Sequence, residues 1–236
     1  MTGPAGVAPG ADARRTAYDR LGDDFDAAMN RFDLERRLEL VLAQVPDGTN
    51  TRALEVGCGL GYLTDRLRQE RGIEPVSLDI ARSLLGAGAR AGRLGRPVCG
   101  DALALPFPNA SFDLVVSTEC IEHTPSPRDA VREIVRVARP GAVVVLTCPN
   151  AAWHWSVRVA NRLGLRPYEG YENWPAFGAL RAWLEVEGVQ VLAHMGFHAV
   201  PFQLPLASRW LPALDRVALR AFPGAGINQL IAGIVA

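Results

Sequence analysis

No lysine occurs in this chain of 236 residues: all 25 basic residues are arginine, set against 25 Asp and Glu, for a formal net charge of zero. That balance leaves no electrostatic footprint for nucleic acid, which is not expected as a partner. The missing lysine fits a GC-rich bacterial coding bias and calls for no physical explanation. Long apolar runs are also missing. Stretches such as Ala142 to Leu146 fall far short of the ~20 residues a membrane helix needs, so no transmembrane segment is expected. Cysteine is scarce, and Cys58, Cys99, Cys120 and Cys148 are spaced too widely for a zinc knuckle or a CxxC redox pair. Reduced thiols in the cytoplasm are the expectation. The first eleven residues lack both a basic start and an apolar run, which excludes a signal peptide and predicts a flexible tail.

What is present is material for a core: 49% of residues are apolar, enough for a single α/β domain over 12–236. Phe32 to Val45 carries Leu34, Leu38, Val41, Leu42 and Val45 on one helical face, with Asp33 placed to cap it. Short apolar runs follow at Ala53–Val56, Pro75–Ile80, Pro97–Gly100, Phe112–Ser117, Ala142–Cys148, Val189–Val200 and Asn228–Ala236. Between them lie helical patterns at Gly61–Arg71, Ala81–Arg93, Pro127–Ala138, Trp174–Glu187 and Trp210–Phe222. Alternation of this kind predicts a Rossmann-like, seven-stranded, mostly parallel sheet covered on both faces, its last strand returning antiparallel at the sheet edge. Two segments look like insertions. Residues 151–175 carry Trp153, Trp155, Tyr168, Tyr171 and Trp174; residues 201–226 carry Phe202, Trp210 and Phe222. The second suits a lid, a dimer surface or a lipid-facing helix.

Ala53 to Tyr62 reads as a buried strand entering a glycine turn and then a helix, with Gly57, Gly59 and Gly61 free to take positive φ and to let a ligand approach the backbone. A dinucleotide fingerprint would need a small residue where Tyr62 or Thr64 stands, which disfavours a nicotinamide oxidoreductase. Instead a carboxylate, Glu55, precedes the first glycine by two residues, and suits a ligand bearing an ammonium or sulfonium charge. Asp79 closes the second strand about 20 residues after the loop, where a carboxylate can accept both hydroxyls of a ribose. Asp101 closes the third and can meet an adenine amino group.

These pieces resemble class I S-adenosylmethionine-dependent methyltransferases of the small-molecule type, which includes ubiquinone- and menaquinone-biosynthesis and natural-product enzymes. The likeness runs from Leu54 to Asn150 and rests on Glu55-Val-Gly-Cys-Gly-Leu-Gly61, Asp79, Gly100-Asp-Ala102 with Leu105-Pro-Phe107, Phe112 to Ser117, Glu119-Cys-Ile-Glu-His123, and Val137 to Gly141. It implies a donor site of Glu55, Gly57, Cys58, Gly59, Gly61, Asp79, Ile80, Asp101, Ala102 and Thr118, with Tyr18 and Phe25 on an N-terminal lid. Methyl transfer from a sulfonium is an in-line displacement, so alignment and exclusion of water do most of the work. A hydroxyl acceptor also needs a base. His123, after the fourth strand, is the leading candidate, with Glu122 beside it, because imidazole accepts a proton near neutrality. The other reading of both residues is that they fix the chain and the donor's methionine portion. Glu119, Glu122 and His123, at i, i+3 and i+4 of a helical turn, could also present ligands to a divalent ion; quinone O-methyltransferases carry a similar Glu-x-x-Glu-His stretch, and related enzymes often have these residues without any metal. Trp153, His154, Tyr171 and Trp174 are the candidate acceptor pocket. The implied function is O-methylation of a small molecule in natural-product or cofactor biosynthesis. The alternatives are C- or N-methylation of a quinone-like or lipid acceptor, and a silent donor-binding protein.

Overall fold

Strands that are apolar on both faces must be covered on both, and here that cover positions the site. The computed structural model describes residues 19, 29–48, 51–162, 172–199 and 217–236. Tyr18, Phe25, Tyr168, Tyr171 and the tail over 1–11 lie outside the described residues, as does most of the second insertion. The strands are β1 (Ala53–Val56), β2 (Val76–Asp79), β3 (Arg96–Cys99), β4 (Phe112–Thr118), β5 (Ala138–Pro149), β6 (Val189–Phe197) and β7 (Asn228–Val235). They form one sheet in the order β3-β2-β1-β4-β5-β7-β6. Neighbours from β3 to β5 pair in parallel, and β7 runs antiparallel to both β5 and β6. Six strands thus share one direction and β7 opposes them.

The last strand is antiparallel as expected, but it is not at the edge: β7 lies between β5 and β6. Its burial explains the placement. Seven of its eight residues are buried, whereas β6 alternates between buried and exposed positions over its first half, as an edge strand with one wet face does.

The helices are α1 (Arg31–Leu42), α2 (Tyr62–Arg71), α3 (Arg82–Arg90), α4 (Pro127–Val137), α5 (His154–Arg162) and α6 (Phe177–Val186). Leu34, Leu38, Val41 and Leu42 of α1 and Leu63 and Leu67 of α2 pack on Leu114, Val116 and Val145. Ala130, Val131 and Ile134 of α4 and Leu180 and Leu184 of α6 pack on Val115, Val144 and Leu146. Successive residues of β4 and β5 therefore serve opposite layers, as the two-residue period of a strand requires. Burying each such leucine or isoleucine contributes about 1.5–3 kcal/mol. The N-cap of α1 is Asn30, whose side chain accepts from Asp33 N, and not Asp33, whose carboxylate is committed to longer-range partners described below. Among the described residues no helix is long and apolar enough to cross a membrane.

Chain order reverses at β1 and β4: from β1 the sheet grows towards β2 and β3, then resumes on the other side with β4. Ligands of such sheets bind outside the strand ends at this reversal. The parallel register of Val56 with Ser117 sets the glycine loop beside the segment that follows β4.

Candidate active site

Gly57, Gly59 and Gly61 have φ of 77°, 51° and 81°, all in the left-handed region that glycine enters without strain. Gly57 N and Cys58 N donate to Leu78 O at 2.7 and 3.0 Å, tying the loop to the end of β2. A Cβ on Gly57 would stand 2.4 Å from the Cβ and Sγ of Cys120, so the loop is wedged against the segment after β4. Asp79 organises the other side. One oxygen accepts from Gly59 N and the other from Ala81 N, both at 2.8 Å. Burial pushes its carboxyl above the usual range against those amides. Ile80 N adds a third amide contact, and the remaining acceptor capacity of the carboxylate is left for a ligand. Asp19, next to Tyr18, accepts from Ser83 N at 2.9 Å at the start of α3, and its charge also raises Asp79.

Glu55 lies beneath the loop and not on its outer surface. Fully buried, it accepts from the Thr64 hydroxyl, which is 2.7 Å from Ser77 Oγ; burial pushes Glu55 up to about 8, against the Thr64 contacts. Asp101 turns the chain after β3, its carboxylate accepting from Leu103 N at 3.0 Å. Ala102 is buried behind it. Ile80 and Thr118 are half-buried at the ends of their strands.

After β4 the backbone bends sharply at Glu119, a non-glycine residue at φ 50°, and Ile121–His123 forms one 3-10 turn. Glu119, Glu122 and His123 are therefore not on one helical turn. Among the described residues no group of three His, Cys, Asp or Glu side chains could hold a metal ion. The Arg37 guanidinium sits instead with Nε 3.6 Å from Glu119 Oε1. These residues do not fit a divalent ion, because a fixed cation already faces them. His123 is partly exposed, with Nε2 3.8 Å from Glu122 Oε1. Glu122 is fully buried, and among the described residues no other side chain hydrogen-bonds its carboxyl oxygens. Burial pushes it up to about 8, against its own amide and the charge of Arg37.

The segment around Trp174 packs directly on this turn. Asn173 N donates to Glu122 O and Asn173 Nδ2 to Thr124 O, both at 2.8 Å, and the His154 and Trp174 rings meet edge-on with centroids 5.3 Å apart. Trp153 turns away, its indole donating to Ala225 O at 2.8 Å and its ring stacked on Trp155.

Comparison with known proteins puts a family to this geometry. Residues 54–146 match a family described as a methyltransferase domain. The chain is 34% identical over 129 residues to ajmaline N-methyltransferase of Rauvolfia serpentina, covering 50% of this chain and 44% of that protein. It is 34% identical over 116 residues to malonyl-[acyl-carrier protein] O-methyltransferase of Enterobacter lignolyticus (strain SCF1), covering 49% and 46%. The match spans less than half the length of either relative. A solved Thermotoga maritima S-adenosylmethionine-dependent methyltransferase, described as a possible histamine N-methyltransferase, superposes with a TM-score of 0.69 at 15% identity, covering 94% of this chain and all of that one. At that identity the likeness speaks for the fold. Residues 54–146 thus match a methyltransferase-domain family, and the fold is the one that a solved S-adenosylmethionine-dependent methyltransferase adopts.

The loop, the Asp79 carboxylate and the carboxylate at Asp101 fit an adenosine-bearing donor. Sequence reasoning missed a buried ionic group on α1. Asp33 pairs with Arg37, and Asp33 Oδ1 also lies 3.0 Å from His198 Nε2 and accepts from Asn228 Nδ2 at 3.1 Å. Burial alone would raise Asp33, but Arg37 and His198 outweigh it and hold the carboxyl below its usual range. One signal was available: Asp33 and Arg37 stand four residues apart, and Asp33 lies on the helix face that carries Leu34 and Leu38.

Glu122 makes stability fall with rising pH. Its folded-state value of about 8 exceeds the ordinary value near 4.5, so between the two the folded chain keeps a proton that the unfolded chain has released. Raising the pH through this window favours unfolding. Thermal melts of wild type are expected to decline from about pH 5 to 8, and Glu122→Gln to flatten that decline. The difference should be on the order of a few kcal/mol. Identical slopes would contradict a carboxyl raised by burial at Glu122.

Proposed function

We propose that the protein transfers a methyl group from S-adenosylmethionine to the oxygen of a small-molecule acceptor, in natural-product or cofactor biosynthesis. When bound, the donor supplies a methyl group on a positively charged sulfur. Everything else falls to the chain. Gly57 to Gly61 and Cys58 cradle the donor through the backbone, Asp79 takes the ribose hydroxyls, Ile80 and Ala102 line the adenine, and Asp101 meets its amino group. Glu55 supports the loop from below, and Thr118 borders the reacting end. His154 and Trp174 bound the acceptor and exclude water, with Trp153 on the same segment.

His123 carries the choice of oxygen. It stands beyond the carboxyl end of β4, partly exposed, with Glu122 beside it and the Trp174 segment bonded to its turn. An amine reaches such a site already nucleophilic once neutral, whereas a hydroxyl must lose a proton, and an imidazole is suited to take it. One relative is named for N-methylation and the other for O-methylation, so the nature of the acceptor atom is what needs testing. Incubation with methyl-labelled donor and a panel of catechols, phenols, carboxylic acids and secondary amines, read by mass spectrometry, is expected to place label on oxygen. Label on nitrogen alone, or on none of them, would overturn the reading.

A further inference from the structure

The mechanism above leaves the buried Arg37 guanidinium unused. Arg37 lies one turn after Asp33 on α1, and its side chain is only 14% exposed. It pairs with Asp33 on one side and stands 3.6 Å from Glu119 Oε1 on the other. Thr147 Oγ1 donates to that same Glu119 oxygen at 3.2 Å. Through Asp33 the arrangement continues to His198 and Asn228, so α1 is fastened both to the junction of β6 and β7 and to the segment after β4.

Glu119 is the strained point of that segment. A left-handed conformation in a non-glycine residue is strained and persists only where the surroundings over-determine it. Three contacts do so here: Glu119 N donates to Thr147 O at 3.0 Å, Thr147 Oγ1 donates to its carboxylate, and Arg37 faces it. The backbone direction set at Glu119 is the one from which the Ile121–His123 turn departs. Asp33 and Glu122 lie near it in space, and the guanidinium faces all three acidic groups.

We propose that Arg37 is a positioning residue for His123: by pinning Glu119 in its left-handed conformation it aims the turn that carries the base. This rests on the reading of His123 as the acceptor's base. The test uses Arg37→Gln, Glu119→Gln and the double variant of the full chain. Donor affinity and stoichiometry are measured by calorimetry, and kcat per donor-binding site with the panel acceptor that wild type methylates fastest. Arg37→Gln is expected to lower kcat about 10- to 100-fold, the scale of a small misplacement of a reacting group, with donor affinity within about 3-fold of wild type. The double variant should lose no more than the worse single one, because both substitutions break one contact.

Full turnover in Arg37→Gln, donor affinity falling in step with turnover, or losses that simply add would each overturn the proposal. Should Arg37→Gln not fold, Glu119→Gln removes the same ion pair with the side-chain shape kept, and unchanged kcat in it overturns the proposal equally. A second readout needs no acceptor. The chain has four histidines, so His123 ring signals can be assigned by nitrogen-15 spectroscopy, and they are expected to move in either variant; unmoved signals count against the proposal. A wild type that binds no donor would instead sink the methyltransferase reading beneath it.

Discussion

His123→Ala is expected to lower kcat about 100- to 10,000-fold, the range general-base catalysis supplies, while leaving donor affinity nearly intact. The expectation follows from where the ring stands. It is partly exposed on the turn after β4, 3.8 Å from Glu122, and Asn173 bonds that turn to the segment bearing Trp174. A residue that only braced the donor would behave differently, with affinity for S-adenosylmethionine falling and kcat at saturation changing little. The measurement is steady-state kinetics with the panel acceptor that turns over fastest, paired with a donor titration. Loss confined to donor binding would assign His123 to the donor side.

Asp79→Ala is expected to weaken donor binding by about 3 kcal/mol or more, which is ~100-fold, because hydrogen bonds to a charged group contribute roughly 1.5–3 kcal/mol each and two ribose hydroxyls are lost. A further cost lies in the loop itself. The carboxylate holds Gly59 N and Ala81 N, so its removal frees the glycine turn as well as the ribose site. Equilibrium dialysis with labelled donor reads the change. Unaltered affinity would mean that Asp79 closes the loop without touching the donor.

Much of this was legible in the sequence wherever the chemistry is local. The glycine loop, Asp79 and Asp101 each sit at a strand end marked by its own apolar run, and the fold brings those ends together because parallel strands align them. The position of β7 was legible in principle: a continuous apolar run from Leu230 signals burial on both faces, whereas Val189-Gln190-Val191 alternates as an edge strand does. Weighing the runs by order in the chain hid that difference. The divalent-ion alternative shows how local spacing misleads. The i, i+3, i+4 spacing of Glu119, Glu122 and His123 assumes a continuous helical turn, and the positive φ of Glu119 breaks it. The ionic group on α1 was the least legible feature. Asp33 meets His198 across 165 positions of chain, and nothing in the local pattern of either residue announces the other.

The central claim is that the loop after β1 and the carboxylate at the tip of β2 form the site of a sulfonium donor. Calorimetric titration of the wild-type chain with S-adenosylmethionine, and separately with a nicotinamide dinucleotide, tests it most directly. The expected result is saturable binding of one S-adenosylmethionine per chain and no heat from the dinucleotide; saturable binding of the dinucleotide with none of S-adenosylmethionine would contradict it.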